Sequence, residues 1–401
     1  MSRPPEHVER ALRLFDPELR RRLVELRRDI HRHPELSWQE ERTAARLQAE
    51  LERLAPAALA RCAATGVIAR IQGRNARAPV VAVRGDIDAL PIGERTGLPY
   101  ASVHPGVMHA CGHDVHATWA VGAACLLRQE PAAGDVVVVL QPAEEVGEGA
   151  KAVLASGVLD EARAIFGAHV DRRFSVGEVV AQEGALAAAA DDFTVEVRGL
   201  GGHAARPHLC RDPLVAAAEM VTALQTLVSR RIDPGAAAVL TVGTFAAGSA
   251  PNVIPEAARL SGTLRSLDPG VRSRLAEELR RVVRGVADAH HVEADVDVRL
   301  GSPPLWNSQR AVGWATAAIE DLLGKGSLVP LGPANMGGED FACYLERIEG
   351  CFLRIGAREE GGEPTGAHQP TFHAAEEAIF VGAAVLAATA RRASAELAAI
   401  G

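Results

Sequence analysis

Leu19, Leu23, Leu26 and Ile30 recur at the spacing of one helical face, behind an Asp16-Pro17 pair that supplies an N-cap and a proline at the first helical position. A second helix is predicted from Ser37, with Glu40 completing a capping box and Leu47, Leu51 and Leu54 on its apolar face. The period then changes. Short runs that are apolar at nearly every position, VIARIQG, PVVAVRGD, DVVVVLQP and AIFGAHV, alternate with helical stretches and read as buried strands of a largely parallel sheet. From Asp192 the pattern changes again. DFTVEVRG reads as a strand, Asp212-Pro213 opens a helix through Leu227, and AAVLTVGTF and ARLSGTLRS read as two more strands. A helix over Pro269 to Ala289 and the strand EADVDVRL close a β-α-β-β-α-β, ferredoxin-like order. After Pro303-Pro304 the first style resumes, with helices around Ala311 and Phe341, the strand CFLRIGA and a closing helix. The expected fold is α/β: a large, mainly parallel-sheet domain over 1–188 and 304–401, interrupted by an inserted domain over 189–303. A chain of 401 residues suits two such cores better than one.

Composition narrows the class. A formal net charge of −8 argues against a nucleic-acid partner, which would need a dense basic surface. The arginine run RRRLVELRR carries a glutamate and reads as a solvated helix face. Six cysteines without a CxxC pair suit a reduced, intracellular protein. The N-terminal MSRPPEHVERALRLFD lacks the apolar core of a signal peptide. The run Ala378 to Ala390 is too short and too rich in Ala and Gly to span a bilayer. A soluble, cytoplasmic protein with no membrane partner is expected.

The polar residues have a phase of their own. Asp86 and Asp88 follow VVAV, Glu144 and Glu145 follow VVVVLQPA, and His169 follows AIFGA. Open α/β sheets bind ligands beyond the carboxyl ends of their strands, so three strands deliver acids or an imidazole to one edge. MHACGHDVHA adds Cys111 and His113, two residues apart, and GAHQPTFH adds His368. Thiolate, imidazole and carboxylate together are transition-metal donors, and there are too many for one tetrahedral ion. Two divalent ions sharing a bridging ligand use them better, and such a pair can hold both an attacking hydroxide and a substrate oxygen. Of Glu144 and Glu145, one then binds metal and the other moves a proton from the attacking water to the leaving nitrogen.

These motifs, with HRHPELSWQE, RGDIDALPI, LQPAEEVGEGA, GLGGHAARPH, NVIP, GTLR and GGEDF, resemble the di-metal aminoacylase/carboxypeptidase superfamily in its amidohydrolase branch. That branch holds hippurate hydrolases, N-acyl-amino-acid amidohydrolases and plant auxin-conjugate hydrolases. The resemblance implies hydrolysis of the amide bond of a small N-acyl amino acid, with Cys111 bridging both ions. It implies that His113 and Glu145 complete one metal, His169 and His368 the other, and that Glu144 is the general base and acid. His203 resembles a histidine that reaches a neighbouring subunit's site, and Asn252 and Arg265 match a pair that holds the substrate's carboxylate and carbonyl. The inserted domain is implied to be a lid and dimerisation module, giving a homodimer or a dimer of dimers. Manganese or zinc is the expected metal, with cobalt or nickel also compatible. The resemblance leaves the acyl group open.

Other histidines read as supporting groups. His109 and His116 are expected as packed or hydrogen-bonding partners of the ligands, Asp114 as the group that orients a ligand histidine, and Asp86 or Asp88 in the same role. His31 and His33 are expected to cap the first helix and shape the pocket floor, and His373 is a rival to His368. A cysteine hydrolase with Cys111 as nucleophile would leave Glu144, Glu145 and His169 unexplained. A dipeptidase or carboxypeptidase of the same superfamily is the alternative activity. A non-catalytic metal- or peptide-binding protein on this fold would have been free to lose Glu144.

Overall fold

The computed structural model describes residues 5–400; residues 1–4, the start of the stretch read above for a leader, and residue 401 lie outside the described residues. Two compact units emerge: residues up to Gly184 with Trp306–Gly332 and the stretch from Cys343 onwards, and Ala185–Leu305 with Pro333–Ala342.

The first unit opens with α1 (Glu6–Leu12), α2 (Pro17–Arg32) and α3 (Glu41–Glu52). Asp16 caps α2 by accepting from the Leu19 amide. At α3 the capping box does not form. The carboxylate of Glu35 accepts from the Arg42 and Thr43 amides instead, and Ser37 donates to Asp88. Next come β1 (Ala58–Cys62), β2 (Gly66–Ile71), β3 (Val80–Asp86), α4 (His113–Gln129), β4 (Val136–Gln141), α5 (Gly149–Ala155), β5 (Ala162–Ser175) and β6 (Val179–Val180).

The second unit contains β7 (Ala189–Arg198), α6 (Pro213–Thr226), β8 (Ala238–Ala247), β9 (Ala257–Ser266), α7 (Pro269–Ala289) and β10 (Glu293–Ser302). Its four strands lie in the order β8-β9-β7-β10, each pair antiparallel. Burial alternates along β7, with Phe193, Val195 and Val197 turned to a core that α6 and α7 share through Met220, Leu224, Leu279 and Val283. Asp212 and Asp268 cap the two helices.

The chain then returns to the first unit as α8 (Gln309–Leu323), β11 (Glu349–Arg358) and α9 (Glu377–Ile400). The large sheet has the order β1-β2-β4-β3-β5-β11-β6. Its centre, β4-β3-β5-β11, is parallel. The VIARIQG strand, expected within the parallel set, runs antiparallel to β4, and β1 pairs with its other edge as a hairpin through Cys62 and Gly66. Every residue of β3 and β4 is buried, which is why these strands read as unbroken apolar runs. The closing helix α9 is long and apolar enough to cross a membrane, yet 78% of its apolar window is buried inside the protein. It crosses α4 closely: a Cβ on Gly382 would stand 2.2 Å from the Trp119 ring.

Candidate metal centre

Gly112 sets the turn between Cys111 and His113. Its φ of 92° is a left-handed conformation that glycine adopts freely, and a Cβ there would lie 2.4 Å from Val170 Cγ2. The ligand loop therefore runs hard against β5, and Cys111 Sγ lies 3.2 Å from His169 Nε2. His169 donates from Nδ1 to the Val170 carbonyl at 2.7 Å, which leaves the Nε2 lone pair facing the sulfur. His368 also has a left-handed backbone, φ 66°; its amide donates to the Ala110 carbonyl and its Nε2 stands 3.4 Å from Glu145 Oε2.

The structure thus brings Cys111, His113, Glu144, Glu145, His169 and His368 to one sheet edge. Donor atoms of Cys111, His113 and His169 lie within 4.8 Å of one another, and so do those of Cys111, Glu145 and His368. Cys111 is common to both sets. Donor atoms of His113, Glu144 and Glu145 likewise lie within 4.8 Å of one another, with His113 Nε2 3.8 Å from Glu145 Oε1. The set fits divalent cations on a further ground. His113 Nε2 and Glu145 Oε1 are sealed from solvent without a hydrogen-bond partner, a costly arrangement for two strong polar atoms unless a cation joins them.

Asp88 organises the edge. Its Oδ1 accepts from the Glu144 amide at 3.1 Å and its Oδ2 from the Glu145 amide at 3.0 Å. Ser37 donates to Oδ2, and His113 Nδ1 lies 3.2 Å from Oδ1. Glu40, fully buried, fixes the turn before the two glutamates: it accepts from the amide of Ala143, whose φ is 54°, and from the Thr65 hydroxyl.

The electrostatics favour positive charge in this pocket. Against the burial that would discharge it, the Asp86 and Asp88 carboxylates hold His113 well above the ordinary histidine range. Burial, and then the His116 and Arg354 side chains, hold His169 well below that range, so its imidazole is neutral and able to donate a lone pair. Burial, and then the charge of Glu145, push the Cys111 thiol well above its usual value. A free Cys111 is therefore a protonated thiol and a poor nucleophile, and its thiolate requires a cation beside it.

The supporting groups can now be assigned. His116 donates from Nδ1 to Asp86 at 2.6 Å, accepts from the Val170 amide at Nε2 and stacks on Trp119, so neither nitrogen is left for a metal. His109 is a packed imidazole, and burial lowers its pKa to about 4. Asp114 does not orient a ligand: it accepts from Arg27 Nε at 2.6 Å and pairs with His31 Nδ1 at 2.8 Å. His31 is not a cap, since its other nitrogen faces Glu94, whereas His33 stands at the C-cap of α2. His373 Nε2 lies 3.2 Å from Glu359, which Arg172 also grips, so His373 is tied away from the donors. The roles of Glu40 and Glu359 have no motif to announce them.

In the second unit His203 and Asn252 lie together. His203 pairs in register with Val253, the Ala204 amide donates to the Asn252 carbonyl, and His203 is exposed. Arg265, on β9, is half-buried, with its Nη1 3.6 Å from where a Cβ on Gly338 would sit.

Comparison with known proteins agrees with the chemistry. The chain is 41% identical over 381 residues to an N-acetyl-L-cysteine deacetylase of Bacillus subtilis, covering 93% of this chain and 88% of that protein. It is 38% identical over 377 residues to an IAA-amino acid hydrolase of Arabidopsis thaliana, covering 92% and 86%. It superposes on the crystal structure of a dinuclear metal-binding M20 peptidase from Bacillus subtilis with a TM-score of 0.84 and 36% identity, covering 95% of this chain and 99% of that one. The family described as Peptidase family M20/M25/M40 matches residues 82–392, three-quarters of the sequence, and the chain belongs to it.

Proposed function

We propose that this chain hydrolyses the amide bond of N-acyl amino acids at a two-metal centre: His113 and Glu145 would hold one ion, His169 and His368 the other, and Cys111 would serve both. The observation that carries the reading is the cluster of donors around one sulfur, with His113 Nε2 and Glu145 Oε1, 3.8 Å apart, both buried without a hydrogen bond. Bound there, divalent ions would polarise the scissile carbonyl and ease deprotonation of water. The protein's own groups do the rest. Glu144, whose backbone Asp88 pins and whose Oε2 stands 3.9 Å from His113 Nε2, takes the proton of the attacking water and hands it to the leaving nitrogen. Asn252 and Arg265 receive the substrate's carbonyl and carboxylate. An arginine is suited to the latter, because its planar fork matches a carboxylate bidentately.

The acetyl group and the IAA group, which the relatives' names print, are the acyl groups to try first. Manganese or zinc is the proposed metal. The proposed assembly is a homodimer in which His203 serves the partner's site, working in the cytoplasm. Glu144→Gln tests the mechanism. Metal content should stay near wild type while kcat falls by roughly 10²–10⁴, the usual worth of a general base. Near-normal turnover would remove Glu144 from the reaction.

A further inference from the structure

Among the described residues, four arginines of the first unit are buried: Arg27, Arg84, Arg172 and Arg354. Three of them face a carboxylate, Arg27 on Asp114, Arg84 on Asp86 and Arg172 on Glu359. Arg354 has none. It is 7% exposed, its Nε is sealed without a partner, and among the described residues its guanidinium enters no hydrogen bond or ion pair. The Phe352 ring lies beside it, 5.6 Å from Cζ to the ring centroid. A largely buried guanidinium with a sealed, unsatisfied Nε and no carboxylate beside it is unfavourable, so the position suits an anion from outside the chain.

Its place in the fold says which anion. Arg354 on β11 pairs in parallel register with His169 on β5, and registered residues of neighbouring strands present their side chains to the same face of the sheet. The unpaired guanidinium is thus next to one of the proposed metal ligands. Phe352, two residues earlier on the same strand, gives that face an apolar wall. The combination of an aliphatic or aromatic wall and a lone guanidinium suits a short carbon chain ending in a carboxylate.

We infer that Arg354 is a specificity-determining residue that receives a carboxylate at the far end of the acyl group, so that monoamides of dicarboxylic acids, of the N-succinyl class, are preferred over neutral acyl groups. The inference rests on the proposed hydrolysis of N-acyl amino acids, in which Arg265 already takes the carboxylate of the amino acid.

The test compares N-succinyl-alanine with N-succinamoyl-alanine, which differ by little more than the charge. Wild type should favour the acid by about tenfold or more in kcat/KM, and the ratio should collapse towards one in Arg354→Met. No preference in wild type, or an equal fall for both substrates in the variant, overturns the inference. A preference that appears for N-acetyl-glutamate over N-acetyl-glutamine and vanishes in Arg354→Met also overturns it, by moving the carboxylate to the amino-acid side chain. Should the variant misfold, calorimetry on the wild-type holoenzyme decides: succinate should bind about tenfold or more tighter than succinamate, and equal binding refutes the assignment. The two readings fail separately. Cleavage of N-acetyl-alanine with no charge preference sinks only this inference. Tight succinate binding by a protein that cleaves no amide sinks only the proposed reaction.

Discussion

His113 Nδ1 lies 3.2 Å from Asp88 Oδ1, and this contact turns the opposite ring nitrogen towards Glu144 and Glu145. The same carboxylate holds the backbone amides of both glutamates, so a single side chain positions His113, Glu145 and Glu144. Asp88→Asn keeps the size but replaces one acceptor oxygen by a donor that opposes an amide. Loss of such an outer partner lowers metal affinity by about 10–100-fold, and kcat should fall as well because Glu144 shifts. Competition against a chelator measures the affinity. An unchanged constant would mean that His113 needs no orienting group.

Acid stability offers a separate check on the segment that carries His368. Against the desolvation that would raise it, the hydrogen bond from Arg172 holds the Glu359 carboxyl down at about 2, below the ordinary 4.5. Folding therefore favours the ionised form. The stabilisation is fully present above 4.5 and is lost as the pH falls towards 2. Wild type and Glu359→Gln should differ in Tm near neutrality, by a modest amount since the pair is partly exposed, typically under about 1 kcal/mol. The gap should close between pH 4.5 and 2. A gap of constant size across that range would assign the effect to packing rather than charge.

Much of this architecture is legible in the residues. The apolar runs of β3, β4 and β5 announce a covered sheet, and acids and histidines placed just after them announce its active edge. The caps Asp16 and Asp212 are readable because proline follows each. What escapes the reading is long-range or directional. Strand periodicity carries no direction, so β2 is readable as a strand without its antiparallel pairing. Glu40 fits a capping box locally, but the turn at Ala143 competes for its carboxylate from 103 residues away and wins. Asp114 follows a ligand directly, yet it serves Arg27, 87 residues back in the chain. Pro333–Ala342 has no periodicity that would join it to the second unit. Arg354 sits inside an apolar strand, and only the three-dimensional arrangement shows that no carboxylate among the described residues pairs with it.

The proposed assembly has a functional consequence. If His203 acts in the partner's site, His203→Ala and Glu144→Gln are each inactive for different reasons, and each carries what the other lacks. In a mixed dimer one of the two sites combines an intact Glu144 with an intact His203. Free subunit exchange should then restore about a quarter of wild-type specific activity, because half the dimers are mixed and each regains one site. No recovery after exchange, verified with differently tagged subunits, would place His203 in its own subunit's site or outside the reaction.

The decisive residue is Cys111, because a bridging thiolate and a nucleophilic thiol tolerate opposite substitutions. Burial and the nearby Glu145 disfavour its thiolate in the absence of a cation, and both donor sets converge on its sulfur. An anion at this position is what a pair of cations needs, and sulfur is the softer of the available choices. Cys111→Asp should therefore keep measurable activity that depends on added metal, shifted towards harder ions such as Mn²⁺. Cys111→Ala leaves the two sets with no common donor, and it should lose at least one metal and nearly all turnover. A nucleophile would instead make both variants inactive, let the wild type survive prolonged chelation, and leave an acyl group on the sulfur during turnover. Mass spectrometry of the quenched wild-type enzyme, together with metal analysis of the two variants, separates these outcomes: an acyl adduct on Cys111 would abolish the bridging role, and full metal content in Cys111→Ala would do the same.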